Sequence, residues 1–272
     1  MHEQHSNHKK QETLETITMV LLIAAILGMV FNQFQLITLT SATTGNAIGT
    51  INTQASQSGV ATGISAAEAA IIPKGTPEIY GKELGINYDD VNANNPEKTE
   101  STIATLGDLD RTITLQQKDL ERYIDITSEI SCEYCCGAAS IIVTREDVSN
   151  MNEKIEAAIK AGQLTEAQAK QYRVTPGVPA CGCAHSYAMR GLAKYLIQKH
   201  GSEYTDEQIL DELAKWKTLF FPGAMAAKAE VMKQKGIEFT YANLGSNRYR
   251  DIESSSSTTA SAGASGSMVG GC

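Results

Sequence analysis

Five of the six cysteines fall into two tight groups, Cys132-Glu-Tyr-Cys135-Cys136-Gly and Cys181-Gly-Cys183-Ala-His185, and the sixth is Cys272. Thiolates are nucleophiles and soft-metal ligands, and His185, two residues past Cys183, adds a nitrogen donor. Three chemistries fit this pattern. In the first, the groups converge on a metal ion, with Cys132, Cys135, Cys181, Cys183 and His185 as first ligands and Cys136 in reserve. Met189, one turn beyond His185, and Cys272 are weaker candidates. The donor set exceeds the four that tetrahedral zinc takes, and a surplus of soft donors also suits Cu(I), so zinc and copper are both open. In the second, the cysteines are structural staples. Neighbouring Cys135 and Cys136, or Cys181 and Cys183, would close strained rings, so bridges would run between groups, as from Cys132 or Cys135 to Cys181 or Cys183. In the third, Cys132 and Cys135 form a redox-active dithiol, although the motif follows a helix end and not the strand of a thioredoxin-like unit. The metal reading is favoured, because staples explain neither the clumping nor His185. Covalent haem is excluded, since neither group provides C-x-x-C-H.

Other chemistry is sparse. The chain has no phosphate loop, dinucleotide fingerprint, H-E-x-x-H or G-x-S-x-G, so no nucleotide cofactor and no catalytic residue is expected. A net charge of −8 over 272 residues gives nucleic-acid binding no electrostatic support. The pairs Asp89/Asp90 and Asp108/Asp110 read as solvated faces. Glu133 and Tyr134 read either as outer support for the cysteines or as a solvated turn. His200, before Gly201, suits a helix C-terminus. His2, His5 and His8 read as a short polar overhang with no fixed ligand geometry.

The elements that position the cysteines follow from patterning. Residues 17–38 open with an uncharged apolar run, Ile17 to Phe31, and reach a plausible transmembrane length of about 20 residues. Lys9 and Lys10 precede the run and the next basic residue is Lys74, which places the N-terminus in the cytoplasm and the bulk of the chain outside. A cleaved signal is the alternative, and it exports the cysteines equally. The expected order is a cytosolic tail (1–16), a transmembrane helix (17–38), a flexible or weakly helical stalk (39–75), a Cys-rich extracytoplasmic domain (76–252) and a low-complexity tail (253–272). Residues 73–100 read as loop.

Within the domain, six helices are expected: residues 115–130, 149–160, 165–172, 186–200, one from Thr205 to about Phe221, and 224–235. Thr165/Gln168 and Thr205/Gln208 are capping boxes, while Gly162, Gly201 and Gly236 are stops. Residues 139–144 and 237–242 have strand character. The fold class is mainly α, with about six helices and at most a small β-hairpin, plus one N-terminal transmembrane helix. Cys272 could supply a ligand through the flexible tail or join two chains in an oligomer.

The stretches Ile130-Ser-Cys-Glu-Tyr-Cys-Cys-Gly137, Ala180-Cys-Gly-Cys-Ala-His-Ser186 and Trp216-Lys-Thr-Leu-Phe-Phe-Pro222 resemble a group of single-span, Cys-rich proteins of archaea and candidate-phyla bacteria. The C-G-C-x-H portion is more distantly similar to PCYCGC-motif proteins, whose leading Pro-Cys-Tyr is missing here. The resemblance spans residues 78–252 and implies that the two cysteine groups belong to one unit. Residues 147–176 between them look like a longer helical insertion. It supplies no activity. The expected function is a membrane-anchored extracytoplasmic metal-binding protein, acting in metal binding, transfer or sensing. A disulfide-stapled surface or assembly protein is the alternative, and a thiol–disulfide oxidoreductase the third.

Overall fold

The computed structural model describes residues 65–253 and 268–271. The expected cytosolic tail, the transmembrane segment, most of the stalk, residues 254–267 and Cys272 lie outside the described residues. No helix among those described is long and apolar enough to cross a membrane.

The described chain is mainly helical. In order, α1 is Ala66–Ile71, α2 Gly81–Leu84, α3 Pro96–Thr112, α4 Gln117–Ser128 and α5 Arg145–Lys160. Next come α6 Glu166–Ala169, α7 Ala184–His200, α8 Asp206–Phe220, α9 Pro222–Gln234 and α10 Tyr241–Gly245. Short 3-10 turns occupy Tyr88–Asp90 and Asn247–Tyr249. The six expected helices are all present, with shifted ends. Helix α5 begins earlier than expected because Thr144 and Asp147 form a capping box ahead of Ser149.

The expected strands are absent among the described residues. Residues 139–144 make only isolated bridging contacts, Ile142 with Pro179 and, beside them, Ile130 with Ser246. In 237–242 the alternation ends at Thr240, whose hydroxyl accepts the Asn243 amide and opens α10. The end of the expected stalk is likewise ordered: Ser65 and Glu68 cap α1, which packs on α9. Residues 73–100, expected as loop, hold α2, a 3-10 turn and the start of α3.

Helix α3 was not anticipated, and it forms the most extensive helix pairing, along α7. Its buried face is Thr99, Thr102, Ile103, Leu106, Gly107 and Asp110, too polar to give an apolar stripe. The two helices touch at backbone distance where Gly191 sits. A Cβ there would lie 1.9 Å from the Leu106 carbonyl oxygen. The core continues through Leu192, Leu196, Leu213, Trp216 and Phe220, all fully buried or nearly so. Met189 is part of that core. Between the cysteine groups, α5 and α6 pack on each other as an excursion, and Ile155 and Ala169 are their buried residues. Its neck is closed by Val143 N–H to Val178 O (2.8 Å) and Gly177 N–H to Val143 O (2.9 Å).

Candidate metal centre

The first cysteine group lies in the turn after α4. Cys135 and Cys136 donate their amides to the Cys132 carbonyl at 3.2 and 3.1 Å, which curls C-x-x-C-C around one centre. The second group opens α7. Cys183 is the N-cap itself, its sulfur accepting the Ser186 amide at 3.4 Å, so it sits where the helix dipole favours negative charge. Arg190, one turn further into α7 and fully buried, bolts this loop down. It donates Nη1 to the carbonyls of Cys181 (2.9 Å) and Ile141 (3.1 Å) and Nε to Asp110 (2.9 Å). Asp110 is therefore buried in an ion pair with Arg190 and Lys194, which corrects the solvated reading of that carboxylate.

The two groups meet. Cys136 and Cys181 are disulfide-bonded across 45 residues of chain, and Cys135 is disulfide-bonded as well. The bridge between groups thus uses Cys136, where Cys132 or Cys135 was expected. Cys132 and Cys183 are free thiols with sulfurs 3.4 Å apart, and Cys183 is also 3.4 Å from the Cys181 sulfur. Within this pair the Cys183 thiol is held well below its ordinary range: Cys132 donates to it, and Ser186 adds to the stabilisation against partial burial. Cys132, whose proton is held by Cys183 and whose side chain is buried, stays a thiol.

One ligand atom each from Cys132, Cys135, Cys183 and His185 lies within 4.8 Å of the others, and Cys136, Cys181 and Cys183 form a second such group. These Cys and His groups could hold a metal ion. Two sulfurs on one tetrahedral zinc at about 2.3 Å sit about 3.8 Å apart, a few tenths beyond the Cys132–Cys183 separation. With Cys135, Cys136 and Cys181 bridged, none of the three offers a thiolate.

His185 is fully buried between the rings of Phe220 and Phe221, centroids 4.6 and 5.0 Å away. Its Nε2 lies 2.9 Å from the carbonyl of Val269, in the C-terminal segment. A carbonyl can only accept, so Nε2 is the donor in this bond. Nδ1 is buried and has no hydrogen-bond partner.

Charged residues crowd the other side. Lys217 and Lys228 are fully buried. Lys217 Nζ bonds to Glu133 Oε2 at 2.6 Å and to the Gly245 carbonyl at 2.7 Å. Burial pushes the Lys217 ammonium down to about 8, with Glu133 acting against it. Glu133 is held below the usual carboxylate range despite burial, by Lys217 and Ser131. Lys228 Nζ and Glu133 Oε1 have no hydrogen-bond partner. Glu133 thus belongs to a buried network behind Cys132, not to a solvated turn. Tyr134 packs on Phe221 and donates to Glu253 at 3.0 Å. His200 lies elsewhere, between Glu83 and Glu203.

A cleft of about 500 Å³ runs past this centre, lined by Gly182 and Ala184 on either side of Cys183, by Ile103 and Tyr187, and by Gly271. Sequence reasoning found the cysteines and His185 but not Arg190, Lys217 or Val269. For Val269 a signal existed, an apolar residue at the end of a Ser/Thr/Gly/Ala tract. No family model, no curated protein and no solved structure matches this chain.

Proposed function

We propose that the domain is an extracytoplasmic soft-metal module, tethered to the membrane by residues 17–38, that binds zinc or Cu(I) for storage, transfer or sensing. The observation that carries the reading is His185. A buried imidazole grouped with Cys132 and Cys183, with one nitrogen committed to a backbone carbonyl and the other without a hydrogen-bond partner, is arranged as metal-ligating histidines are. Cys132, Cys183 and His185 are the core ligands, giving two sulfurs and one nitrogen. Such a set matches a three-coordinate Cu(I) site, or a zinc site with its fourth position open. Cys135, Cys136 and Cys181 add thiolates if their bridges are reduced. Lys217 behind Cys132 would offset the negative charge of a metal thiolate. The test is elemental analysis of the full-length chain purified anaerobically, with thiols counted before and after denaturation. Stoichiometric zinc or copper, lost on Cys183→Ser, supports the reading; absence of metal with Cys132 and Cys183 readily alkylated sinks it.

A disulfide-stapled surface or assembly protein is the second reading, favoured by the Cys136–Cys181 bridge between the groups. It leaves the free Cys132–Cys183 pair and the bare His185 nitrogen unexplained.

A further inference from the structure

The C-terminal segment Met268–Gly271 enters the molecule beside the thiols, after a tract of Ser, Thr, Ala and Gly. Val269 is buried and held through both of its backbone polar groups. Its N–H donates to the Phe220 carbonyl at 2.9 Å, one of the carbonyls that a helix end leaves unpaired, and its carbonyl accepts from His185 Nε2 at 2.9 Å. Gly270 follows with φ +84°, and a Cβ on it would meet Ile103 Cδ1 at 2.4 Å and His185 Nε2 at 3.3 Å. Only glycine fits that passage. The segment is thus seated specifically, between the end of α8 and the His185 ring.

We infer that Met268–Gly271 is a tethered positioning element for the metal centre: by seating Val269 against His185 Nε2 it fixes the imidazole and leaves Nδ1 for the ion, so that strap docking and metal binding are thermodynamically coupled. The inference rests on the metal reading above. Outer partners of metal-bound histidines typically change affinity about 10–100-fold, and coupling is reciprocal, so metal must tighten the strap by the factor by which the strap tightens metal. Anything that pulls on the tail would then weaken the hold on the ion without touching a ligand.

The test uses the full-length chain and Gly270→Val, which blocks seating through Ile103 and the left-handed backbone but leaves every cysteine and His185 in place. Two quantities are read: affinity for Zn2+ or Cu+ alone, by chelator competition, and hydrogen-exchange protection of the Val269 amide with and without metal. In the parent chain Val269 is expected to be protected, and more so with metal. Gly270→Val is expected to lose that protection and bind metal 10–100-fold more weakly at unchanged stoichiometry. A peptide acetyl-Ser-Met-Val-Gly-Gly-amide added in trans should restore affinity, which repair of a general folding defect would not do. Unchanged affinity in Gly270→Val with Val269 protection lost overturns the coupling and leaves the metal reading intact. No metal uptake by the parent chain overturns both, and Val269 protection in that protein still reports whether the strap docks.

Discussion

Glu212 and His185 are both buried polar residues at ring-lined sites, and their surroundings differ in one respect. Around Glu212 every valence is spent. Tyr80 and Tyr88 donate to Oε2 at 2.7 and 2.6 Å, Lys215 donates to Oε1 at 2.6 Å, and Trp216 Nε1 donates to the Tyr80 oxygen at 2.8 Å. At the candidate metal centre they are not: His185 Nδ1 and, in the network behind Cys132, Glu133 Oε1 and Lys228 Nζ are buried without hydrogen-bond partners. A fully satisfied network specifies one packing, whereas a buried polar atom left alone costs about 1–3 kcal/mol. The Glu212 cluster reads as architecture. The His185 region reads as a place where something further binds.

The comparison can be broken or sharpened by experiment. The largest effect is expected from Cys136→Ser combined with Cys181→Ser, which opens a loop spanning 45 residues and should cost about 4 kcal/mol by denaturant melts. Metal uptake by Cys132, Cys183 and His185 should survive it, and loss of uptake would show that the bridged pair are ligands. Next, Glu212→Ala strands two tyrosine hydroxyls and should cost about 3 kcal/mol. Its metal content should match the parent chain, and a fall would erase the division between the two regions. His185→Ala should do the reverse, weakening metal by more than 100-fold, about 2.7 kcal/mol, in chelator competition. Gly191→Ala should cost about 1–3 kcal/mol by forcing α3 and α7 apart. Because Arg190 is adjacent, metal affinity should fall with it; unchanged affinity would uncouple the seam from the site.

The smallest effect concerns pH. Burial disfavours the charged form of His200, but its bonds to Glu203 and Glu83 win and raise its pKa. A raised histidine contributes stability fully below its unfolded value of about 6.5 and loses it as pH rises through the folded value. The thermal midpoint should therefore fall slightly between pH 6 and 8, less so in His200→Gln. The carboxylates are half exposed, so the shift is small. An equal fall in His200→Gln would assign it to another group.

Much of the helical order was legible because it is written locally. Thr205 with Gln208 and Thr165 with Gln168 cap their helices as their spacing implies, and Gly236 adopts φ +67° where its helix stops. Helix α3 escaped because close approach to α7 selects small and polar residues on its buried face, and such a face carries no apolar periodicity. The cysteines and His185 announced themselves by type and spacing. Their supports did not: Arg190, Lys217 and Asp110 have the residue types of solvent-exposed charge, and only tertiary pairing buries them. Val269 is equally remote from its partner, 84 residues from His185, and no local rule links the two.

The excursion carrying α5 and α6 leaves and re-enters the domain through one narrow neck, held by backbone bonds at Val143, Gly177 and Val178 and locked by Cys136–Cys181. A nick at Gly162, in its exposed turn, would leave both fragments covalently joined with the thiols in register. For the same reason the turn is a natural splice point. Foreign sequence, a reporter or an affinity handle inserted there would ride on the protein as cargo and leave the chemistry at its base undisturbed.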